Sequence, residues 1–421
     1  MDEIVVEQII KCKNFLQIKF SYTEGLKEFF SGSPFVVEYS EEIENVPDAI
    51  AVIPFVCNVL PLVWLTDSKL SIQSIDNDFF YCLDEIKTGY KSMYTGVDFK
   101  GEIVVETKKV IKVDKSNKKA MLYSGGLDSV HTLIEHLDEK PDLISIWGSD
   151  IQYQNKEGWE KVYKNIQKIT EKFDLNGAVI RSSFRDFDKE FELDKVFKNR
   201  LQDSWWHGIK HGMGLLGHIA PYIYLHKISA VYIASSNCQN DGKVKCASDP
   251  TIDNRIRFCG CKVIHYGFDL NRQQKTQKVV EYCNTHNTKV DIHVCWKSQK
   301  GSNCGKCEKC YRTMAGLIAE GADPYDYGFE NVRDSISNIQ SCVLLKSKTS
   351  QYIASTQWNP IKERISENKR ILKNSIWWKN IKWIEQTDFN NITKAKLKME
   401  RRVKLKKIKR KTRQIFLKLK A

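Results

Sequence analysis

Apolar and polar positions alternate along the middle of the chain in a repeating order. Met121-Leu122-Tyr123 is a short apolar run suited to a buried strand. A glycine loop follows, and then Val130, Leu133, Ile134 and Leu137 recur at the spacing of one helix face. The same alternation predicts a strand over 143–147, a helix near 159–173, a strand over 178–180, a long helix around 212–225 and a strand over 230–234. Strands alternating with helices predict an α/β fold with a doubly wound parallel sheet covered on both faces. Short, right-handed connections make that the default topology.

Residues 1–118 read differently, as an N-terminal α+β extension. Ile4-Val5-Val6, Phe35-Val36-Val37-Glu38-Tyr39 and Ile103-Val104-Val105-Glu106 have strand-like β-branched content. The run over 50–65 is too short to cross a bilayer and contains Pro54, Asn58 and Pro61, so it reads as buried core. A polar stretch over 114–119 reads as a linker. Four segments are expected: the extension at 1–118, the α/β domain at 119–330, a helical region at 331–392 and a basic tail at 393–421.

The chain has 421 residues, 42% of them hydrophobic, which is ample for a core. Met1-Asp2-Glu3 is acidic where a secretory signal is basic, so a cytoplasmic protein is expected. The net charge of +14 is concentrated at one end. Residues 393–421 carry fourteen Lys or Arg against one Glu, leaving about +1 for everything before them. Leu405, Ile408, Ile415, Phe416 and Leu419 sit among those lysines at roughly helical intervals. Three readings of the tail are open: peripheral attachment to an anionic membrane, contact with a nucleic-acid backbone, or a solvated tail that touches a partner.

The glycine loop Ser124-Gly125-Gly126-Leu127-Asp128-Ser129 falls at the turn from strand to helix. Glycines there let a ligand approach the main chain, and the turn aims backbone N–H groups at an anion. Ser124 and Ser129 add hydroxyl donors, while Asp128 is placed to hold Mg²⁺ or to manage the pyrophosphate leaving group. The loop lacks the Gly-Lys-Ser/Thr ending of a Walker motif, which argues against transfer of a terminal phosphate.

Nine of the thirteen cysteines fall between 238 and 310. In a reducing compartment such clustering points to metal before disulfides. Cys295, Cys304, Cys307 and Cys310 offer four thiols over sixteen residues, a set that suits structural zinc. Lys297, Lys300, Lys306 and Lys309 lie close by to offset thiolate charge. An iron–sulfur cluster and a set of buried structural thiols are the alternatives.

The stretch from Tyr123 to Ser129 resembles the PP-loop of the N-type ATP pyrophosphatases, the adenine-nucleotide alpha-hydrolase-like superfamily. With the spacing Cys295-x8-Cys304-Gly305-x-Cys307-x2-Cys310, the chain is most similar to the 7-cyano-7-deazaguanine synthase family of queuosine biosynthesis, over about half its length. The resemblance implies cleavage of ATP between the α- and β-phosphates and adenylation of a carboxylate, displaced by a nitrogen nucleophile. It implies ATP, Mg²⁺ and Zn²⁺ as the bound groups. Ser124, Gly125, Gly126, Leu127, Asp128 and Ser129 would bind ATP, with Asp128 and Ser129 catalytic. Such a scheme requires no cysteine nucleophile. The chain departs from the family at Trp147-Gly148-Ser149-Asp150 and at the segment Ser248-Asp249-Pro250 to Asp253, both in substrate-recognition positions. Other readings are a tRNA-modifying PP-loop enzyme, a sugar amidotransferase of surface-polysaccharide synthesis, and a non-catalytic nucleotide-binding scaffold.

Weaker signals lie elsewhere. Ala234-Ser235-Ser236-Asn237 ends a strand on its carboxyl side, where either a second ATP- or substrate-contacting loop or an ordinary polar turn is expected. His207, His211 and His218 recur at helical spacing beside Trp205 and Trp206. Asp249, Asp253, Arg255 and Arg257 are the groups that could read an acidic or purine-like substrate.

Overall fold

The computed structural model describes every residue except 115, 243, 296, 347, 348 and 421, and the backbone alone at 413 and 415–420. The chain forms two compact units: residues 1–269 with 299–301, and residues 270–298 with 302–421.

The first unit is built on one sheet of eleven strands. These are β1 (Glu3–Cys12), β2 (Phe15–Tyr22), β3 (Phe35–Tyr39), β4 (Lys69–Asp76), β5 (Glu102–Lys109), β6 (Lys119–Leu122), β7 (Asp142–Trp147), β8 (Gly177–Ser182), β9 (Ala230–Ala234), β10 (Arg257–Phe258) and β11 (Cys261–Tyr266). Their order across the sheet is β10-β11-β9-β6-β7-β8-β3-β2-β1-β4-β5. From β11 to β8 every neighbouring pair is parallel. β8 then meets β3 antiparallel, with Val37 opposite Ser182, and β3-β2-β1 continue antiparallel before β1-β4-β5 return to parallel pairing.

The sheet is therefore mixed and mostly parallel. Residues 1–118 supply five of its strands, and the segment over 114–119 joins two strands of that sheet, β5 and β6. The compositional boundary at 118 does not coincide with the end of a folded unit. β3 is buried at Phe35, Val36, Val37 and Tyr39, and it pairs with β2 on one edge and β8 on the other.

The apolar run over 50–65 forms the helix Ile53–Thr66, buried through its first thirteen residues. It lies against the helix His211–His218, and glycines set how close the two approach. A Cβ on Gly217 would fall 2.5 Å from Cys57 Cβ, and one on Gly214 would fall 2.8 Å from Asn58 Oδ1. The expected long helix over 212–225 is two helices, His211–His218 and Ala220–His226, the second opening with Pro221, which cannot donate to a helix already running.

The second unit is helical. It holds Arg272–Thr285, Glu308–Ala319, Val332–Ser341, Asn359–Glu367, Trp378–Glu385 and Ile392–Lys420. Trp358 anchors it, stacked 5.8 Å from Phe389 with its indole N–H donating to Glu308 Oε1 at 2.9 Å. The basic tail is the helix Ile392–Lys420, with Leu397, Leu405 and Ile408 exposed. The side chains of Ile415, Phe416 and Leu419 lie outside the described residues. Among the described residues no helix is long and apolar enough to cross a membrane.

Asp76 ties distant parts of the first unit together. Its buried carboxylate caps the helix Asn77–Met93 by accepting from Phe79 N at 3.2 Å, and also accepts from Cys259 N at 2.8 Å. Burial pushes its pKa up to about 6. The folded state thus holds this proton more tightly than an unfolded chain, whose aspartates titrate near 4. Its contribution to stability is fullest below about pH 4 and declines as pH rises through 6. Asp76→Ala is expected to lower stability by about 1–2 kcal/mol in urea denaturation. Asp76→Asn should flatten the difference in stability between pH 4.5 and pH 7 relative to the parent chain.

Candidate nucleotide and metal sites

The glycine loop leaves β6, the strand that pairs with β7 on one side and β9 on the other. The chain runs from β6 outward through β7 and β8, then returns to β9 and β11 on the opposite flank. Connections leaving β6 and β9 diverge, the topological position at the strands' carboxyl ends where α/β sheets commonly take their ligands. The loop is anchored from below: Tyr123 N donates to Ile144 O at 2.8 Å, and Ser145 Oγ donates to Tyr123 O at 2.6 Å.

Gly125 has φ +71°, a conformation that suits glycine, and Gly126 is the residue that opens the helix Leu127–Glu135. Ser124 and Ser129 hydroxyls meet at 3.3 Å, and Ser129 Oγ donates to Gly126 O at 3.0 Å. Gly126 N donates to Ser124 Oγ at 3.3 Å. Asp128 stands in the first turn of the helix, where a carboxylate is favoured by the macrodipole. The arrangement is a compact ring of donors at a helix start, with a carboxylate at its side. Such a ring can cradle phosphate oxygens, and Asp128 can hold a hard divalent cation against them.

Neighbouring strand ends complete this edge. Gly148, past β7, has φ +112°, and a Cβ there would sit 2.0 Å from Ser182 O, so a side chain has no room. Ser235, past β9, bonds through its backbone N to Tyr266 O at 2.9 Å and through its hydroxyl to Asn237 O at 2.7 Å. Past β8, Lys210 is buried with its ammonium 2.6 Å from Asp188 Oδ2 and bonded to Phe184 O. Burial dominates there and raises the Asp188 pKa to about 6.

The other signals from the sequence resolve into separate roles. His218 is buried, with Nδ1 2.6 Å from Gly214 O and Nε2 2.8 Å from Ser182 Oγ. Burial lowers its pKa to about 3, so it is a neutral packing histidine. His211 lies edge-on to Trp206. His207 is partly exposed and paired with Asp203. Asp249 caps the turn Pro250–Asp253 through Thr251 N. Arg255 donates to Glu85 O, and Arg257 grips the Glu85 carboxylate with two nitrogens. Asp253 is buried against His265 Nδ1 at 2.8 Å and Ser248 Oγ at 2.8 Å. These partners lie between 2 and 172 residues apart along the chain, and no local pattern announces the distant ones.

In the second unit the four predicted cysteines converge. The sulfurs of Cys295, Cys304, Cys307 and Cys310 all lie within 4.8 Å of one another, with Cys295 and Cys307 at 4.0 Å and Cys304 and Cys310 at 3.9 Å. Four thiolates about 2.3 Å from a tetrahedral zinc stand about 3.8 Å apart. The cage therefore fits a single ion. A multi-iron cluster would place its own irons and sulfides between the cysteines and spread them further.

Local structure fixes each ligand. Gly305, at φ +63°, turns the chain between Cys304 and Cys307, and Lys306 N donates to Cys304 Sγ at 3.4 Å. Cys307 caps the helix Glu308–Ala319, accepting from Cys310 N at 3.4 Å, so two of the sulfurs sit at a helix N-terminus that favours thiolates. Hydrogen bonds from the Cys307 and Cys310 thiols hold Cys295 far below the usual thiol range. The same contacts push Cys307 up to about 11 and Cys310 higher still. The group can hold a metal ion such as zinc.

No family model, curated protein or solved structure matches the chain. Elemental analysis is expected to find one metal ion per chain, without the visible absorbance of iron. Cys310→Ala should abolish retention of the metal and make the second unit sensitive to protease, because a structural site's binding energy is folding energy, on the order of 10 kcal/mol for zinc.

Proposed function

We propose that this chain is an AMP- and pyrophosphate-forming ATP-dependent ligase or synthase of the PP-loop type, a divergent relative of the 7-cyano-7-deazaguanine synthases. The observation that carries the reading is the position of Ser124–Ser129: a glycine loop without a Walker lysine, leaving the central strand of a β8-β7-β6-β9-β11 order at its switch point. Gly125 and Gly126 would let the triphosphate lie against the main chain, and Ser124, Leu127 and Ser129 would supply donors. Asp128 would hold Mg²⁺, which offsets the charge of the departing pyrophosphate. The single-ion geometry of the cysteine cage supports the same family reading, with zinc in a structural role.

In this reading the activated group is a carboxylate. Its oxygen attacks the α-phosphorus, pyrophosphate leaves, and a nitrogen nucleophile later displaces AMP from the acyl carbon. Positioning and charge neutralisation at the phosphates supply most of the rate.

The departures at Trp147-Gly148-Ser149-Asp150 and over 248–253 fall outside the glycine loop, so they alter the acid rather than the bond broken in ATP. A panel of carboxylic acids headed by a carboxylated deazaguanine is expected to elicit AMP and pyrophosphate in equal amounts. Asp128→Ala should reduce that release by at least about a hundredfold, the scale of losing a main electrostatic stabiliser. ADP as the sole nucleotide product, or full activity in Asp128→Ala, would sink the reading.

A further inference from the structure

The helix Ile392–Lys420 concentrates positive charge that no carboxylate among the described residues offsets. Its root is fixed to the second unit: Ile392 N donates to Gln351 Oε1 at 3.1 Å, Lys394 N to Asn391 Oδ1 at 3.0 Å, and Lys396 Nζ to Thr349 O at 2.9 Å. Beyond the root, residues 401–411 hold eight Lys or Arg and no acid. Every residue from Lys404 to Thr412 is exposed. Elsewhere in the unit cations are matched, as Arg364 is by Glu320 at 2.8 Å and Lys369 by Glu385 at 2.6 Å. Among the described residues none of the eight forms an ion pair.

Helix geometry carries these cations to every side. At about 100° per residue, no arc wider than about 80° over 401–411 lacks a Lys or Arg. Arg402, Lys406 and Arg410 follow one another at four-residue steps, a spacing at which like charges repel. A polyanion reaching more than one side of the helix would relieve that repulsion. The exposed Leu397, Leu405 and Ile408 do not make a membrane-binding face, because Arg401 falls four residues from both leucines and breaks their row. A helix lying on a bilayer needs a broad apolar face. Its far-side cations would also stand about 10 Å from the lipid, beyond the reach of about 8 Å that charge has in physiological salt. The major groove of B-form DNA is about 12 Å wide, admits a helix, and has phosphates along both walls. The major groove of duplex RNA is too narrow for the same helix.

We propose that residues 401–411 are a docking surface for double-stranded DNA, with the helix lying in the major groove and its Lys and Arg side chains paired with phosphates of both strands. The contacts are to the backbone, so they supply affinity and orientation without reading sequence. The chain before the tail carries about +1 in total and offers no comparable pull. The surface belongs to the second unit alone and does not depend on the adenylating function proposed above.

Fluorescence anisotropy of a labelled DNA duplex of arbitrary sequence, titrated with the full chain at salt concentrations between about 50 and 200 mM, tests the surface. Six to eight phosphate contacts give a slope of about −5 to −7 in a plot of log binding constant against log salt. The combined substitutions Lys406→Gln, Lys407→Gln, Arg410→Gln and Lys411→Gln should lower that slope by about 4 and weaken binding by at least about thirtyfold at the middle of the salt range. A chain ended after Glu400 keeps the root contacts of Ile392, Lys394 and Lys396 and should bind at least as weakly as the fourfold variant. No binding by the parent chain, or unchanged affinity and slope in the fourfold variant, overturns the proposal. Equal or tighter binding of an RNA duplex of the same length overturns the placement in a B-form groove. Binding to phosphatidylserine vesicles without binding to DNA overturns it in favour of a membrane. The titration needs neither ATP nor an acid, so a chain that releases no pyrophosphate removes the adenylating function and leaves this test standing.

Discussion

The parallel pairing of β6 with both β7 and β9 is the constraint on which the first unit depends. β6 is only four residues long, with Ala120 and Met121 buried, so its own hydrogen bonds cannot hold it without a neighbour on each side. Once it is central, the helix Leu127–Glu135 must leave from its carboxyl end, and the connections to β7 and from β9 must run on opposite sides of it. The place of Ser124–Ser129 at the switch point is a by-product of that order. The N-terminal strands strengthen the arrangement from a distance. By covering the edge of β8, β3 turns what would be an exposed parallel edge into an interior strand.

Charge crowding plays the matching part in the second unit. Four sulfurs within 4.8 Å of one another cannot all be ionised without a cation, and the thiol contacts divide accordingly into one depressed and two raised groups. The helix start at Cys307 and the turn at Gly305 bring the sulfurs together. Four protein sulfurs would fill all four corners of a tetrahedral ion and leave no open position, which suits a structural role rather than a catalytic one.

Features whose partners are close in sequence were legible before the structure. The strands at 35–39 and 230–234 and the helix start at Leu127 follow from local apolar period and glycine placement, and the cysteine cage follows from a spacing confined to sixteen residues. The sheet's continuation through residues 1–118 was not legible, because strand pairing such as Val37 with Ser182 spans about half the unit and leaves no periodic trace. The break between His211–His218 and Ala220–His226 was visible only as Pro221, while the glycines before it answer to Cys57 and Asn58 on another helix. Arg255 and Arg257 looked like substrate readers until Glu85, about 170 residues away, was seen to hold them.

The three histidines at 207, 211 and 218 show why spacing alone misassigns chemistry. Helical periodicity groups them, yet their surroundings give them different charges. His218 has a carbonyl at one nitrogen, a hydroxyl at the other, aromatic rings of Phe35 and Phe184 on its faces, and no carboxylate, so burial keeps it neutral. His207, at the exposed end of the same stretch, has Asp203 on one nitrogen, and that carboxylate pushes its pKa up to about 10. A charged imidazolium at the start of this helical stretch and a neutral imidazole at its end, held against Ser182, differ because only the first has a carboxylate partner.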